Sequence, residues 1–169
     1  VENPVEAALG TIEFISEDGF GRKSPNNGNY FREGAINAYY KLLNCGFHLG
    51  LAAGTDFPCN ADEPLGTLLT YVQVDDKLTY QKWIEGIKAG RTVVSRNGHN
   101  EFLEMKVDGK YGPGDNITIK SNGRGNVKIK WTAAEALIGR IEIVSNGEII
   151  GTHAGSAKPG KYLVFETTI

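Results

Sequence analysis

Two short runs in this 169-residue chain hold the side chains best placed to do chemistry. The first is Gly54-Thr55-Asp56-Phe57, which closes an apolar run at residues 49–53. That run has no polar side chain, as expected of a strand covered on both faces. An Asp just past such a strand stands where α/β folds gather their ligands, at the carboxyl ends of strands. A carboxylate there can bind a hard or borderline metal ion through oxygen. It can equally close a turn by accepting from its own backbone, and spacing alone does not separate the two. The second run is AGRTVVSRNG, residues 89–98, which puts Arg91, Thr92, Arg96 and Asn97 around one short strand. Arg beside a metal clamps anionic groups, whereas Arg91 at the end of a helix would complement the helix dipole.

Other chemistries find less footing. The three histidines, His48, His99 and His153, form no H-x-H, H-x-x-x-H or H-E-x-x-H pattern. His48 reads as a residue flanking the apolar strand, His99 as lining a rim beside Arg96 and Asn97, and His153 as a surface residue. No G-x-S-x-G elbow is present, and GFGRKSPNNG is neither a phosphate-binding loop nor a dinucleotide fingerprint. The acid pairs Asp75/Asp76 and Glu101/Glu104 read as solvated surface. Cys45 and Cys59 are the only cysteines. They form no C-x-x-C pair and read as two buried thiols, with a single disulfide between them as the alternative.

Composition bounds the class. With 40% hydrophobic and 22% charged residues, the chain is globular and not a disordered tail. The net charge of −2 comes with no basic run; Lys128 and Lys130 alternate with Val127, Ile129 and Trp131, which is the wet face of a strand. A nucleic-acid partner is therefore not expected. No window approaches the roughly 18 apolar residues of a membrane helix, and no signal segment opens the chain. Starting at Val1 and not Met, the sequence reads as a processed or excised piece.

The elements that must position these residues fall into two groups. Residues 11–15 alternate as a strand, and residues 16–30 form a long polar stretch rich in turn formers. From Phe31 the pattern turns helical, with Ile36, Tyr39, Tyr40 and Leu43 on one face and Gly46 at the C-terminal cap. Residues 67–74 predict a strand. Thr79 predicts a helix N-cap, with Tyr80, Trp83, Ile84 and Ile87 as the apolar face and Gly90 as the stop. Residues 92–94 predict another strand. Strand–helix–strand order of this kind belongs to α/β architecture with a parallel sheet. Past residue 98 the helical period vanishes. Short alternating runs at 102–107, 117–119, 127–131, 141–143, 148–150 and 162–167 are separated by turn signals that include Asp108-Gly109 and Asn146-Gly147. They predict a small antiparallel β-sandwich. The expected fold is α/β plus all-β, divided at residues 1–98 and 99–169.

Three stretches carry a family resemblance: YYKLLNCGFHLGLAAGTDFPCN, WIEGIKAGRTVVSRNG and FLEMKVDGKYGPGD, in that order. Together they resemble the C-terminal portion of the CehA/McbA-type metallohydrolases of the PHP (polymerase and histidinol phosphatase) group, over roughly residues 35–115. The resemblance implies that residues 1–98 are the last strand–helix units of a distorted (β/α)7 barrel. It implies a divalent-metal cluster, of Zn, Mn or Fe, and hydrolysis of phosphoester or carbamate-like ester bonds. Asp56 falls on a metal-ligand position, with Thr55, Phe57, Arg91 and Asn97 as the candidate rim. Many members of the wider group carry Asp-x-His there, whereas Phe57 and Pro58 follow Asp56 here. His48 and His99 stand where the branch has Arg and Pro, so neither transfers as a ligand.

On this reading the remaining ligands, an H-x-H pair among them, lie upstream of Val1. The 169 residues are then a C-terminal fragment, inactive and metal-free alone, of an enzyme acting on a small-molecule ester or phosphoester. Relatives of this kind are often exported, which favours an extracytoplasmic location. Two alternatives remain: a non-catalytic β-sandwich module binding carbohydrate or a cell surface, and a degenerate, metal-free family member.

Overall fold

A computed structural model describes residues 3–16, 35–55, 57–58, 64–95, 98–119 and 123–169. The described residues are mostly β-strand, with three short α-helices: α1 (Asn3–Leu9), α2 (Ala35–Asn44) and α3 (Tyr80–Lys88). The polar stretch expected at residues 16–30 lies almost wholly outside them.

The helices obey their local signals. Gly46 follows α2 at φ +88°, a conformation open to glycine and strained for other residues. The Thr79 hydroxyl accepts from the Lys82 N–H at 3.2 Å and caps α3. Only the last turns of α3 are buried, through Gly86 and Ile87. Its first turn projects outward, leaving Tyr80 78% exposed, so the apolar face expected there is only half used. α1, unmarked in the sequence reading, places Ala7 in a small core with Ile15, Leu42 and Leu49.

Strands β1 (Phe14–Ser16) and β2 (Gly50–Ala52) pair parallel, as an α/β unit should. The next unit departs from expectation. β3 (Leu69–Val72) and β4 (Thr92–Ser95) pair antiparallel, with Leu69 opposite Ser95 and Val72 opposite Thr92. The cause lies in the connection. The Gln73 N–H donates to the Arg91 carbonyl, so the ladder runs on past β3. Residues 73–79 carry the chain outward, and α3 brings it back to where β3 ended, not to where it began. A helix that sits inside a hairpin loop in this way cannot make a parallel crossover.

The remaining strands form the expected sandwich. β5 (Glu101–Val107), β6 (Asn126–Ala133) and β9 (Leu163–Thr168) make one antiparallel sheet in the order β5-β6-β9. β7 (Leu137–Ser145) and β8 (Glu148–Ala157) make a hairpin that turns at Asn146 (φ +53°) and Gly147 (φ +81°). Val107, Val127 and Ile129 of the first sheet pack on Ile141 and Ile143 of the second. Lys128 and Lys130 face outward and pair with Glu166 and Glu104, as their alternation predicts. Residues 115–119 form no strand despite the alternation of Ile117 and Ile119, and among the described residues no strand pairs with them.

The two groups of elements touch. Asn44 Nδ2 donates to the Asn146 carbonyl at 3.0 Å, and Tyr71 meets Phe102 edge-on at 5.2 Å.

Candidate functional site

Three strand ends open to one side of the molecule. β1 and β2 are parallel, Ser16 opposite Ala52. β2 also runs in the same direction as β4, which side-chain hydroxyls reveal. Thr92 Oγ1 donates to the Leu51 carbonyl at 2.6 Å. The Ala53 N–H donates to Thr70 Oγ1 at 2.8 Å, and that hydroxyl donates back to the Ala53 carbonyl at 2.9 Å. Because Thr70 is the cross-strand partner of Val94, Leu51 and Ala53 follow Thr92 and Val94 in step. Thr70, Val72, Thr92 and Val94 share one face of the ribbon, and β2 lies across that face. Two threonines thus satisfy backbone groups that a regular ladder would otherwise bind.

Thr55 continues past the end of β2 and is buried, 6% exposed. At the matching end of β4, Ser95 is buried and its hydroxyl donates to the Gly98 carbonyl at 2.8 Å. The Tyr71 hydroxyl donates to the same carbonyl at 3.3 Å and lies 3.3 Å from His99 Nδ1. His99 itself is exposed, as a rim residue would be. Phe57 is 56% exposed. Asp56 and Asn97, with Arg96 and Cys59, lie outside the described residues. Tyr71, Thr70 and Ser95 were not singled out from sequence. Their one signal was a hydroxyl on each strand of a β pair, which reads as ordinary β-propensity.

Arg91 is elsewhere. It precedes β4, at the opposite end from Ser95, and its Nη1 pairs with Asp75 Oδ2 at 3.1 Å. Its backbone N–H donates to the Gly86 carbonyl in the last turn of α3. The structure brings Arg91 to the C-terminus of that helix and not to the Thr55 end of β2.

The three stretches that carry the resemblance meet at a junction of glycines. A Cβ on Gly50 would lie 2.7 Å from the Ile87 carbonyl oxygen and 3.4 Å from the Gly90 Cα. One on Gly114 would lie 2.1 Å from the Ala89 carbonyl oxygen and 2.9 Å from the Arg91 nitrogen. One glycine from each stretch therefore allows backbone to touch backbone. Beside the junction is a cleft of about 930 Å³, walled by Tyr39, Leu51, Val94 and Met105 among others. Lys88 and Asp115 reach it but are engaged, Lys88 with Glu13 at 2.7 Å and Asp115 with the Gly112 N–H at 2.8 Å. Tyr39 donates to the Leu49 carbonyl at 2.9 Å. Burial, with the neighbouring Tyr40, pushes its phenol up to about 12, and burial with Glu142 also raises Tyr40. Both remain protonated donors at neutral pH. The cleft is shaped for apolar contact.

Two side chains differ from the sequence reading. Cys45 is exposed and free, because it follows the last turn of α2 on the solvent side. His153 is half-buried, stacked on Phe165 at 5.3 Å with the rings 14° from parallel, because β8 turns it toward the opposite sheet. Among the described residues no group of three or more His, Cys, Asp or Glu could hold a metal ion. No helix among them is long and apolar enough to cross a membrane. No protein-family model, curated protein or solved structure matches the chain.

Proposed function

We propose that the chain is the C-terminal part of a PHP-type metal-dependent hydrolase acting on phosphoester or carbamate-like ester bonds. In this reading the β1–β4 region is the last section of its barrel. Asp56 supplies one metal ligand, and the others come from polypeptide outside these 169 residues. In this reading the fragment alone binds no cluster and turns over no substrate. One observation carries the reading: three separated stretches with the family's residues in the family's order. Two features of the fold support it. The stretches pack on one another through Gly50, Gly90 and Gly114, and β2 runs in the same direction as β1 and β4. Ligands collect at the carboxyl ends of such strands in α/β folds.

In this arrangement Thr55 is buried and Phe57 exposed. The His99–Tyr71 pair borders the end of β4. The sandwich-module alternative has less support. Trp131, the aromatic residue a sugar-binding face would use, donates its indole N–H to Glu101 Oε2 at 3.1 Å and packs on the core.

The test uses the longer protein that includes the polypeptide upstream of Val1. Metal content and hydrolysis of aryl phosphodiesters and carbamates are measured with and without Asp56→Asn. The expected loss of activity exceeds the roughly 10–100-fold that outer-shell changes cost at metal sites. Unchanged metal content and turnover in the variant, or the lack of an H-x-H motif upstream, would sink the proposal.

A further inference from the structure

We infer that Asn146 is a site of succinimide formation, and so of conversion to aspartate and isoaspartate, held unreactive by a hydrogen bond from Asn44. Asn146 and Gly147 form the two-residue loop between β7 and β8, with Ser145 and Glu148 paired at its base. Asn146 is exposed. An asparagine followed by glycine is open to attack from its own main chain. The glycine nitrogen, unshielded by any side chain, adds to the carboxamide carbon. A new C–N bond forms, and the carboxamide nitrogen departs as ammonia with the proton that the backbone nitrogen gives up. Water then opens the five-membered succinimide at either carbonyl, leaving aspartate or isoaspartate.

Turn geometry decides whether that ring can close. Positive φ at both loop residues, +53° at Asn146 and +81° at Gly147, makes the turn type I′. In such a turn the first residue has ψ of about +30°, which sets the next nitrogen nearly opposite its Cβ. The ring needs the two side by side. That is the arrangement of a type II′ turn, with ψ of about −120° at the same residue. The two turns share the φ of Asn146 and differ by nearly a half-rotation of the peptide plane joining residues 146 and 147. The loop as folded is one peptide flip away from its reactive conformer.

Asn44, at the end of α2, holds that plane. Its Nδ2 donates at 3.0 Å to the Asn146 carbonyl, the oxygen that a flip would swing away. α2 also stands close to the turn: a Cβ on Gly147 would lie 3.7 Å from Asn44 Nδ2 and 3.7 Å from the Tyr40 Cβ. One net hydrogen bond of this kind lowers the flipped population about fivefold. Isoaspartate would insert a methylene into the main chain of a two-residue loop. The type I′ turn could not then re-form, and α2 would lose this tie to the sandwich. The inference does not depend on the hydrolase reading, since it uses only the hairpin and the end of α2.

The experiment incubates the 169-residue chain at mildly alkaline pH and follows aspartate and isoaspartate in the tryptic peptide of residues 141–161, where Asn146 is the only asparagine. The native chain is expected to react at least about fivefold more slowly than the chain unfolded in urea. Asn44→Ala removes the donor and suits a helix. It is expected to speed the native reaction about fivefold while the melting temperature stays within a few degrees. Ile129→Ala lowers the stability of the whole sandwich and separates a local flip from global unfolding. Well below its melting transition it is expected to leave the native rate unchanged, because a local opening does not pass through the unfolded chain. A native rate equal to the unfolded one, an unchanged rate in folded Asn44→Ala, or an acceleration by Ile129→Ala as large as that by Asn44→Ala would each overturn the inference.

Discussion

At the C-terminal end of α3, Gly50, Gly90 and Gly114 face backbone, whereas the glycines of the β7–β8 hairpin face side chains. A Cβ on Gly114 would meet the Ala89 carbonyl oxygen at 2.1 Å, and one on Gly50 the Ile87 carbonyl oxygen at 2.7 Å. In the β7–β8 hairpin, Gly139 stands against Trp131, Gly151 against Phe165 and Gly155 against Leu163. The second arrangement interlocks large with small across two sheets, and a large partner can rotate away from an intruding methyl group. The first cannot yield without moving a helix end or a strand. The region holding the candidate site is thus fixed by main-chain contact. The region behind it is fixed by ordinary aliphatic packing.

The sharpest way to break this contrast is Gly114→Ala. The residue has φ +82°, and the added methyl would collide with two main-chain groups. Left-handed strain of about 1–2 kcal/mol adds to an overpacking cost of about 1–3 kcal/mol. A loss of roughly 2–5 kcal/mol in chemical denaturation is expected. Gly46→Ala is the control: φ is +88° but the space around it is open, so only the backbone strain should appear. Equal losses in the two variants would show that the junction is not in contact.

That junction marks the limit of what the sequence makes legible. Signals confined to a few neighbouring residues read correctly: Thr79 as a cap, Gly46 and Gly90 as stops, Asn146-Gly147 as a hairpin turn. Each is settled by local backbone sterics and hydrogen bonding. The alternating runs of the sandwich read well for the same reason, since one buried face imposes the period. What failed was long-range. Nothing local in β3 or β4 distinguishes a parallel from an antiparallel partner, and the helix between them pointed the wrong way. The meeting of Gly50, Gly90 and Gly114 joins residues far apart in sequence, so no window contains it. At the site, Thr55 was named for its position beside Asp56, but its burial depends on β3 and β4. The resemblance gathered the three stretches without indicating how they pack.

The sandwich side of the comparison is sharpened by a cavity and by a glycine. Ile129 is 4% exposed within the cluster formed with Val127 and Ile141. Ile129→Ala should cost about 2–5 kcal/mol, with its melting transition falling but staying cooperative. Gly155→Ala should cost about 1 kcal/mol or less. The nearest atoms, at 2.6 and 3.1 Å, are the terminal carbons of Leu163, which can change rotamer, and a methyl group suits a strand better than none does. A Gly155→Ala loss as large as that of Gly114→Ala would erase the distinction between the two regions.

The smallest effect concerns the edge of the apolar cleft, where Tyr39 ties α2 to β2 through the Leu49 carbonyl. Its folded pKa, about 12, stands above the ordinary tyrosine value of 10.0. A group raised on folding contributes its full stability below the unfolded value and loses it as pH climbs to the folded one. The native protein should therefore weaken between pH 10 and about 12, over and above losses from other groups. Tyr39→Phe removes that titration along with the hydrogen bond. The variant should start about 1 kcal/mol less stable at neutral pH, and its stability should then fall less steeply across the alkaline window. Parallel stability–pH curves for the two proteins would mean that the phenol is solvated and the cleft beside it open to water.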